Sequence, residues 1–267
     1  MQADFSYSET VFPRPPSGLA RGTIVPLAEA PMFARTFTHT PSWTFSSADL
    51  RRAVVLAATL ACGAVATAAP AAPHGERPLA QFGSEPASAD ARRIANWALH
   101  SGDHGKRAVV VVDKKQAKVF VFHPNGQLHA AAPALLGSAK GDHTVPGVGS
   151  KPLSQVAPEE RTTPAGRFIA EGGVNTKGED VVWVDYDAAV SMHRVRANVK
   201  AERRLQRLAS ATPADNRISF GCINLPVRFY EDVLSPAVRS TGAVIYVLPE
   251  TRPAAELFGA YEVPAAR

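Results

Sequence analysis

Ser219-Phe220-Gly221-Cys222-Ile223-Asn224 sets a cysteine behind a glycine and ahead of Asn224-Leu225-Pro226, where a helix running from Val227 to Leu234 is expected to start. Proline suits a first helical turn, because its missing N–H is not needed there. A cysteine just before a helix N-terminus lies near unpaired N–H groups and the positive pole of the helix dipole, and both favour the thiolate. Cys222 is therefore a candidate nucleophile. Gly221, lacking a Cβ, lets a substrate come close to the backbone, and neighbouring N–H groups could bind an oxyanion. The alternative is that Cys222 is a small buried hydrophobe ending a strand.

A thiol that attacks a carbonyl needs an imidazole within hydrogen-bond reach, to form the thiolate and to return a proton to the leaving amine. Of the eight histidines, His39 and His74 fall outside the expected domain, and His100, His104, His123, His129 and His143 lie near turns, loops or helix ends. Only His193 ends a strong strand shortly before the cysteine segment, where a rigid element could hold it against Cys222. Zinc is not expected. His100 and His104 enclose Gly102 and Asp103, which break the helix that their spacing would need, and no second pair completes four ligands. No cofactor is implied.

The 267 residues allow one sizeable core with disposable ends. Residues 1–49 are rich in Pro, Ser and Thr, without helical or strand periodicity, and read as unstructured. Residues 50–69 follow the order of a secretory signal: Arg51-Arg52, an apolar run from Ala53 to Val65, and Ala66-Thr67-Ala68-Ala69 as the cleavage region. The run is too short for a membrane span, which takes about 20 apolar residues. A signal this far along predicts that translation starts near Leu50, which N-terminal sequencing of the precursor would test. Thr59-Leu60-Ala61-Cys62 also admits a lipoprotein reading, with Cys62 acylated. Of the two cysteines, cleavage at the A-x-A site would leave Cys222 alone in an oxidising compartment, where an unpaired thiol is a liability unless it is used. Downstream of residue 73 there are 24 basic and 20 acidic residues, dispersed, a balance too weak to argue for nucleic acid.

Residues 70–87 read as a Pro/Ala-rich linker, 88–249 as the folded domain and 250–267 as a loose tail. Ser88 can cap a helix through His100, with Ala91, Ile94, Ala95, Trp97 and Ala98 on one face, Trp97 as core. Ala108–Asp113 and Ala117–His123 are Val/Phe-rich, and Pro124-Asn125-Gly126 turns the chain into Gln127–Ala132. The Gly/Pro-rich segment from Gly137 to Glu160 is long for a loop, as functional loops often are. Thr163-Pro164-Ala165-Gly166-Arg167-Phe168 feeds a short strand to Ala170. Asp180–Met192 reads as one strand, Asn198–Ala209 as a helix whose Lys200, Arg203, Arg204 and Arg207 face solvent, and Ala243–Leu248 as a closing strand.

His193 followed by Ser219, Gly221, Cys222, Ile223 and Asn224 resembles the signature of the L,D-transpeptidase family, the YkuD-type domain. The Val-rich opening hairpin, Thr163–Phe168 and the closing strand extend the resemblance over roughly 107–249. It implies a mainly β, sandwich-like catalytic domain with a few helices, its cysteine and histidine in a groove beneath a loop. Cys222 is then the acylated nucleophile and His193 its base, with Gly221 and the Cys222 N–H in the oxyanion site and Ser219 in support. The implied substrate is the peptidoglycan stem tetrapeptide, cut between meso-diaminopimelate and D-alanine. The acyl group passes to an amine, to an envelope protein or to water, the last making a carboxypeptidase or amidase. A non-catalytic wall-binding module is the reading from another class. Arg194, Arg196 and Arg217 flank the pair and could meet stem carboxylates, and Asn224 is placed with Arg194 and Arg217 in substrate binding. The implied location is the periplasm or cell envelope. Three departures mark a divergent member: Phe220 stands where the family has histidine, Arg194 follows His193, and the interval to Cys222 is long because it holds the basic helix.

Overall fold

A computed structural model describes residues 77–264 of this chain. The expectations for residues 1–76, including the signal peptide and Cys62, lie outside the described residues.

Valine and phenylalanine fill positions 109–112 and 119–122, and strands with that pattern must be covered on both faces. The first sheet, in the order β3-β2-β1-β11-β5, is built from β1 (Ala108–Asp113), β2 (Lys118–Phe122), β3 (Leu128–Pro133), β5 (Gly166–Ile169) and β11 (Ala243–Val247). A second sheet, β10-β8-β7-β6, comprises β6 (Glu171–Val174), β7 (Asp180–Asp185), β8 (Val190–Arg194) and β10 (Ile223–Leu225). A short parallel pair joins β4 (Leu136–Gly137) to β9 (Arg217–Ser219).

Alternate residues of the first sheet serve two cores, as the period of two requires. Val110, Val112, Val119, Val121, Ile245 and Val247 pack with Val182, Val184, Met192, Ile223 and Leu225 of the second sheet. Val109, Val111, Phe120, Phe122, Val244 and Tyr246 pack against Ile94, Trp97 and Ala98 of helix α1 (Ala89–Ser101). Burying each such side chain is worth about 1.5–3 kcal/mol. The fold is thus mainly β with a few helices, as expected. Ser88 caps α1 by accepting from Ala91 N, and Trp97 meets Tyr246 edge-on in the core.

The structure corrects several sequence readings. Residues 77–87 are no linker: Phe82 is buried against Phe120 and Phe122, and Gln81 pairs with the β2–β3 turn through Gly126 O. Asp180–Met192 is a hairpin, β7 and β8, turning at residues 186–189 with Ala189 at φ 53°. The basic segment gives only a 3-10 turn (Lys200–Glu202) and a short helix α2 (Arg204–Leu208), broken at Arg203, φ 50°. The helix expected over 227–234 continues: α3 (Val227–Phe229), a π-helical turn (Tyr230–Leu234) and α4 (Ser235–Thr241). Pro236 offers no N–H and crowds the preceding turn, and the wide π turn just before it accommodates both. The expected tail includes helix α5 (Ala254–Phe258), whose Ala254 and Phe258 join the α1 core. No helix among the described residues is long and apolar enough to cross a membrane.

Candidate active site

Two parallel strands bring His193 and Asn224 side by side, since β8 and β10 pair in the register Met192↔Ile223 and His193↔Asn224. Cys222 immediately precedes β10, in the turn from β9. That turn is closed by Ser219, whose Oγ donates to Cys222 O at 2.6 Å and accepts from Gly221 N at 3.1 Å. Thr163 Oγ1 donates to Gly221 O at 2.8 Å. Gly221 has φ +132°, and a methyl group there would sit 2.8 Å from Thr162 O, so glycine is required by conformation and by space. The Gly221 N–H serves the turn through Ser219. It is therefore engaged within the turn and not free for the oxyanion site expected of it.

The helix reading of Cys222 is also corrected. Strand β10 intervenes, Pro226 caps the helix, and the helix dipole is not what acts on the sulfur. Burial raises the thiol pKa, but pairing with the His193 imidazole and hydrogen bonds from the Ser191 backbone and hydroxyl outweigh it and leave Cys222 below the ordinary thiol range. Ser191 Oγ lies 3.8 Å from Sγ, and in the thiol form Sγ donates to Ala189 O at 3.5 Å. His193 shows the mirror image. Burial lowers its pKa, pairing with Cys222 and the bond to the Arg194 carbonyl raise it more, and the nearby Arg204 charge opposes; the net direction is upward. Nδ1 lies 2.8 Å from Arg194 O, a pure acceptor, so Nδ1 carries a proton and Nε2 is the nitrogen that exchanges one. A thiol moved down and an imidazole moved up shift the two groups toward thiolate and imidazolium.

The fold is similar to that of L,D-transpeptidase catalytic domains. A mutant of the helical cell shape determining protein Pgp2 from Campylobacter jejuni matches at 12% identity over 55% of this chain and 48% of that one, TM-score 0.37. The catalytic domain of the E. faecium L,D-transpeptidase matches at 16% over 54% and 98%, TM-score 0.32. An L,D-transpeptidase from Mycobacterium smegmatis matches at 18% over 53% and 58%, TM-score 0.30. The chain therefore spans about half the length of the first of these. No protein-family model matches it, and no curated protein does.

Relative to the L,D-transpeptidase signature, the arginines expected to meet substrate do something else. Arg194 donates to Asp180 Oδ1 and Glu231 Oε1, each at 2.8 Å, and lies over the Tyr230 ring at 4.5 Å. Arg217 donates to Lys114 O at 2.8 Å and pairs with Glu250 at 2.9 Å, while Arg196 pairs with Glu179. Carboxylates of the same chain hold all three, so none is poised for a substrate carboxylate. Asn224, expected on substrate, is buried: its Nδ2 lies 3.4 Å from His193 Nε2 and donates to Cys222 O at 3.3 Å, and its Oδ1 accepts from Arg204 Nη1 at 2.5 Å.

Arg204 is the residue that sequence reasoning missed. Its place on a basic stripe suggested a solvated face, yet its side chain is only 15% exposed and also donates to Glu202 at 2.5 Å. The mixed burial of α2, with Arg204 half-buried beside exposed Leu205, inverts the helical pattern and could not be read from periodicity.

Phe220 is 36% exposed and stacks under Arg161 at 4.2 Å, while Arg161 donates to Val156 O. The Gly137–Glu160 segment, expected to be a functional loop, contains 3-10 turns at Val148–Ser150, Leu153–Gln155 and Pro158–Glu160. It lies against the β7–β8 turn so closely that a methyl group at Gly149 would come within 2.3 Å of Asp187 O. That turn carries Ala189, so the loop packs beside the sulfur's own surroundings. Among the described residues no group of three or more His, Cys, Asp or Glu is arranged for a metal.

Proposed function

We propose that this chain is an exported cysteine acyltransferase of the L,D-transpeptidase type, acting on peptidoglycan stem tetrapeptides. The observation that carries the reading is the Cys222–His193 pair, with Nδ1 fixed on Arg194 O, the thiol shifted down and the imidazole shifted up. The His193/Ser219–Asn224 signature supplies the substrate class. In this reading the Cys222 thiolate attacks the diaminopimelate carbonyl, and the Cys222 N–H faces the developing oxyanion. The C–N bond to D-alanine breaks as His193 Nε2–H protonates the leaving amine, which leaves a thioester on Cys222. An acceptor amine then attacks the thioester, the new amide forms as the C–S bond breaks, His193 takes the amine's proton, and the thiolate with its imidazolium is regenerated. Envelope proteins, with their exposed amines, are acceptors of the same chemistry.

Export rests on the residue 50–69 signal, and fractionation of cells expressing the tagged full chain tests it: cytoplasmic retention rejects it. The activity is tested by mass spectrometry of muropeptide tetrapeptides incubated with the protein and with Cys222→Ala. Loss of D-alanine with dimers that vanish in the variant is expected. Monomeric tripeptide alone would make water the acceptor, and an untouched tetrapeptide would reject this substrate.

A further inference from the structure

The interval between His193 and Cys222 delivers one cation to the pair. Arg204, at the start of α2, donates to Asn224 Oδ1 at 2.5 Å, and its Nε is held by Glu202 Oε2 at 2.5 Å. Arginine carries only donors, so the Asn224 atom that faces it must be the amide oxygen. The opposite end of that amide, Nδ2, then faces His193 Nε2 at 3.4 Å and Cys222 O at 3.3 Å. The charge-assisted bond is short and the bond to Cys222 O is long, so Arg204 dominates the choice of orientation.

The orientation matters because the amide's two ends treat an imidazolium in opposite ways. With Oδ1 toward the ring, a proton on Nε2 would gain an acceptor and the imidazolium would be stabilised. With Nδ2 toward the ring, the amide donates to Nε2 of the neutral imidazole and opposes a proton there. We propose that Arg204 is a positioning residue that holds the Asn224 amide with its nitrogen toward His193, keeping Nε2 an acceptor, the form that takes the proton of an attacking amine. This rests on the reading of Cys222 and His193 as a reactive pair. The charged and polar groups around that pair are Ser191 on β8, Asn224 on β10, the Ala189 carbonyl, and Arg204 with its partner Glu202; Arg194 on β8 is turned onto Asp180 and Glu231.

The test needs no peptidoglycan. Iodoacetamide alkylation of the full-length protein is followed against pH by mass spectrometry of the Cys222 peptide, which separates it from Cys62. Without Arg204 the amide can turn its oxygen to the ring and stabilise the imidazolium, and with it the thiolate. Arg204→Met is expected to lower the thiolate midpoint by about one pH unit, a gain of about tenfold in rate on the acid side. Arg204→Lys keeps a charged donor and is expected to stay within about twofold of wild type. In an Asn224→Leu background, Arg204→Met is expected to add nothing, since the residue acts through the amide. An equal fall in both backgrounds would show that the charge acts directly, and would overturn the proposal. So would an unmoved midpoint in Arg204→Met. Should Arg204→Met not fold, Glu202→Gln releases Nε while leaving the charge. A smaller fall is then expected, and no fall counts against the proposal. If wild-type Cys222 alkylates like a free thiol, it is the reactive-pair reading that fails.

Discussion

The directions in which the Cys222 and His193 pKa values move set the reactivity profile expected of the pair. The thiol is moved down, so reactivity should persist below the ordinary thiol value of about 8.5; the imidazole is moved up, so its proton should persist above about 6.5. Turnover should therefore be bell-shaped, with the acid limb reporting thiolate protonation and the alkaline limb loss of the imidazolium proton. His193→Gln removes the largest contribution that lowers the thiol. Its Cys222 alkylation midpoint should move up toward the free-thiol value, with at least about a tenfold rate loss near pH 6.5, measured by stopped-time alkylation. Gly221 is a second test at this scale. Gly221→Ala forces a methyl group to within 2.8 Å of Thr162 O at φ +132° and should cost about 1–3 kcal/mol in denaturant unfolding.

Among the elements, α1 depends on its first residue. Ser88 Oγ accepts from Ala91 N at 3.1 Å and donates to Asp113 Oδ2 at 2.5 Å, joining the helix to the end of β1. Ser88→Ala should destabilise the protein by about 1–2 kcal/mol in thermal or urea unfolding, while Ser88→Thr keeps the hydroxyl and most of the stability. The hairpin of β7 and β8 matters more for the site. Its turn places Ala189 in the left-handed region with its carbonyl on the Cys222 sulfur, so the turn both ends one strand and shapes the nucleophile's surroundings.

Across the whole molecule, a buried charge cluster joins parts of the chain that are remote in sequence. Lys114 Nζ donates to Gly141 O at 2.6 Å, Thr163 O at 2.8 Å and Asp142 Oδ1 at 3.0 Å, with Glu250 3.4 Å away and Arg217 on the other side of Glu250. The cluster fastens the base of the 137–160 loop to the C-terminal segment and to β9, which leads into the Cys222 turn. Lys114→Met leaves Asp142 and Glu250 buried without their cation and should cost about 3–5 kcal/mol in urea unfolding. Asp142 gives the acid side. Burial would raise its pKa, but the Thr251 hydroxyl, the Glu250 and Thr251 N–H groups and Lys114 together bring it well below the usual carboxylate range. A carboxyl lowered in the folded state contributes stability above its unfolded pKa, about 3.9, and loses it as pH falls toward the folded value. Wild-type stability should therefore decline below about pH 4, and Asp142→Asn should start lower and decline less steeply.

The reading of Cys222, His193 and the Val-rich strands came from local pattern: β1, β2 and β11 announce themselves by β-branched runs, and α1 by its cap and apolar stripe. Those signals are short-range, so one sequence carries them. The β7–β8 hairpin was not legible because its turn at residues 186–189 has no glycine or asparagine, and the length of the last long helix was hidden by Pro236. The roles of the arginines were decided by tertiary structure alone. Arg194, Arg196 and Arg217 find carboxylates 14, 17 and 33 positions away at Asp180, Glu179 and Glu250, and Arg204 finds Asn224 across 20. A guanidinium looks the same in sequence whether it faces solvent, a substrate or its own chain. Which of these it meets is fixed by the packing of the sheets, which determines the distance between side chains and the water left around them.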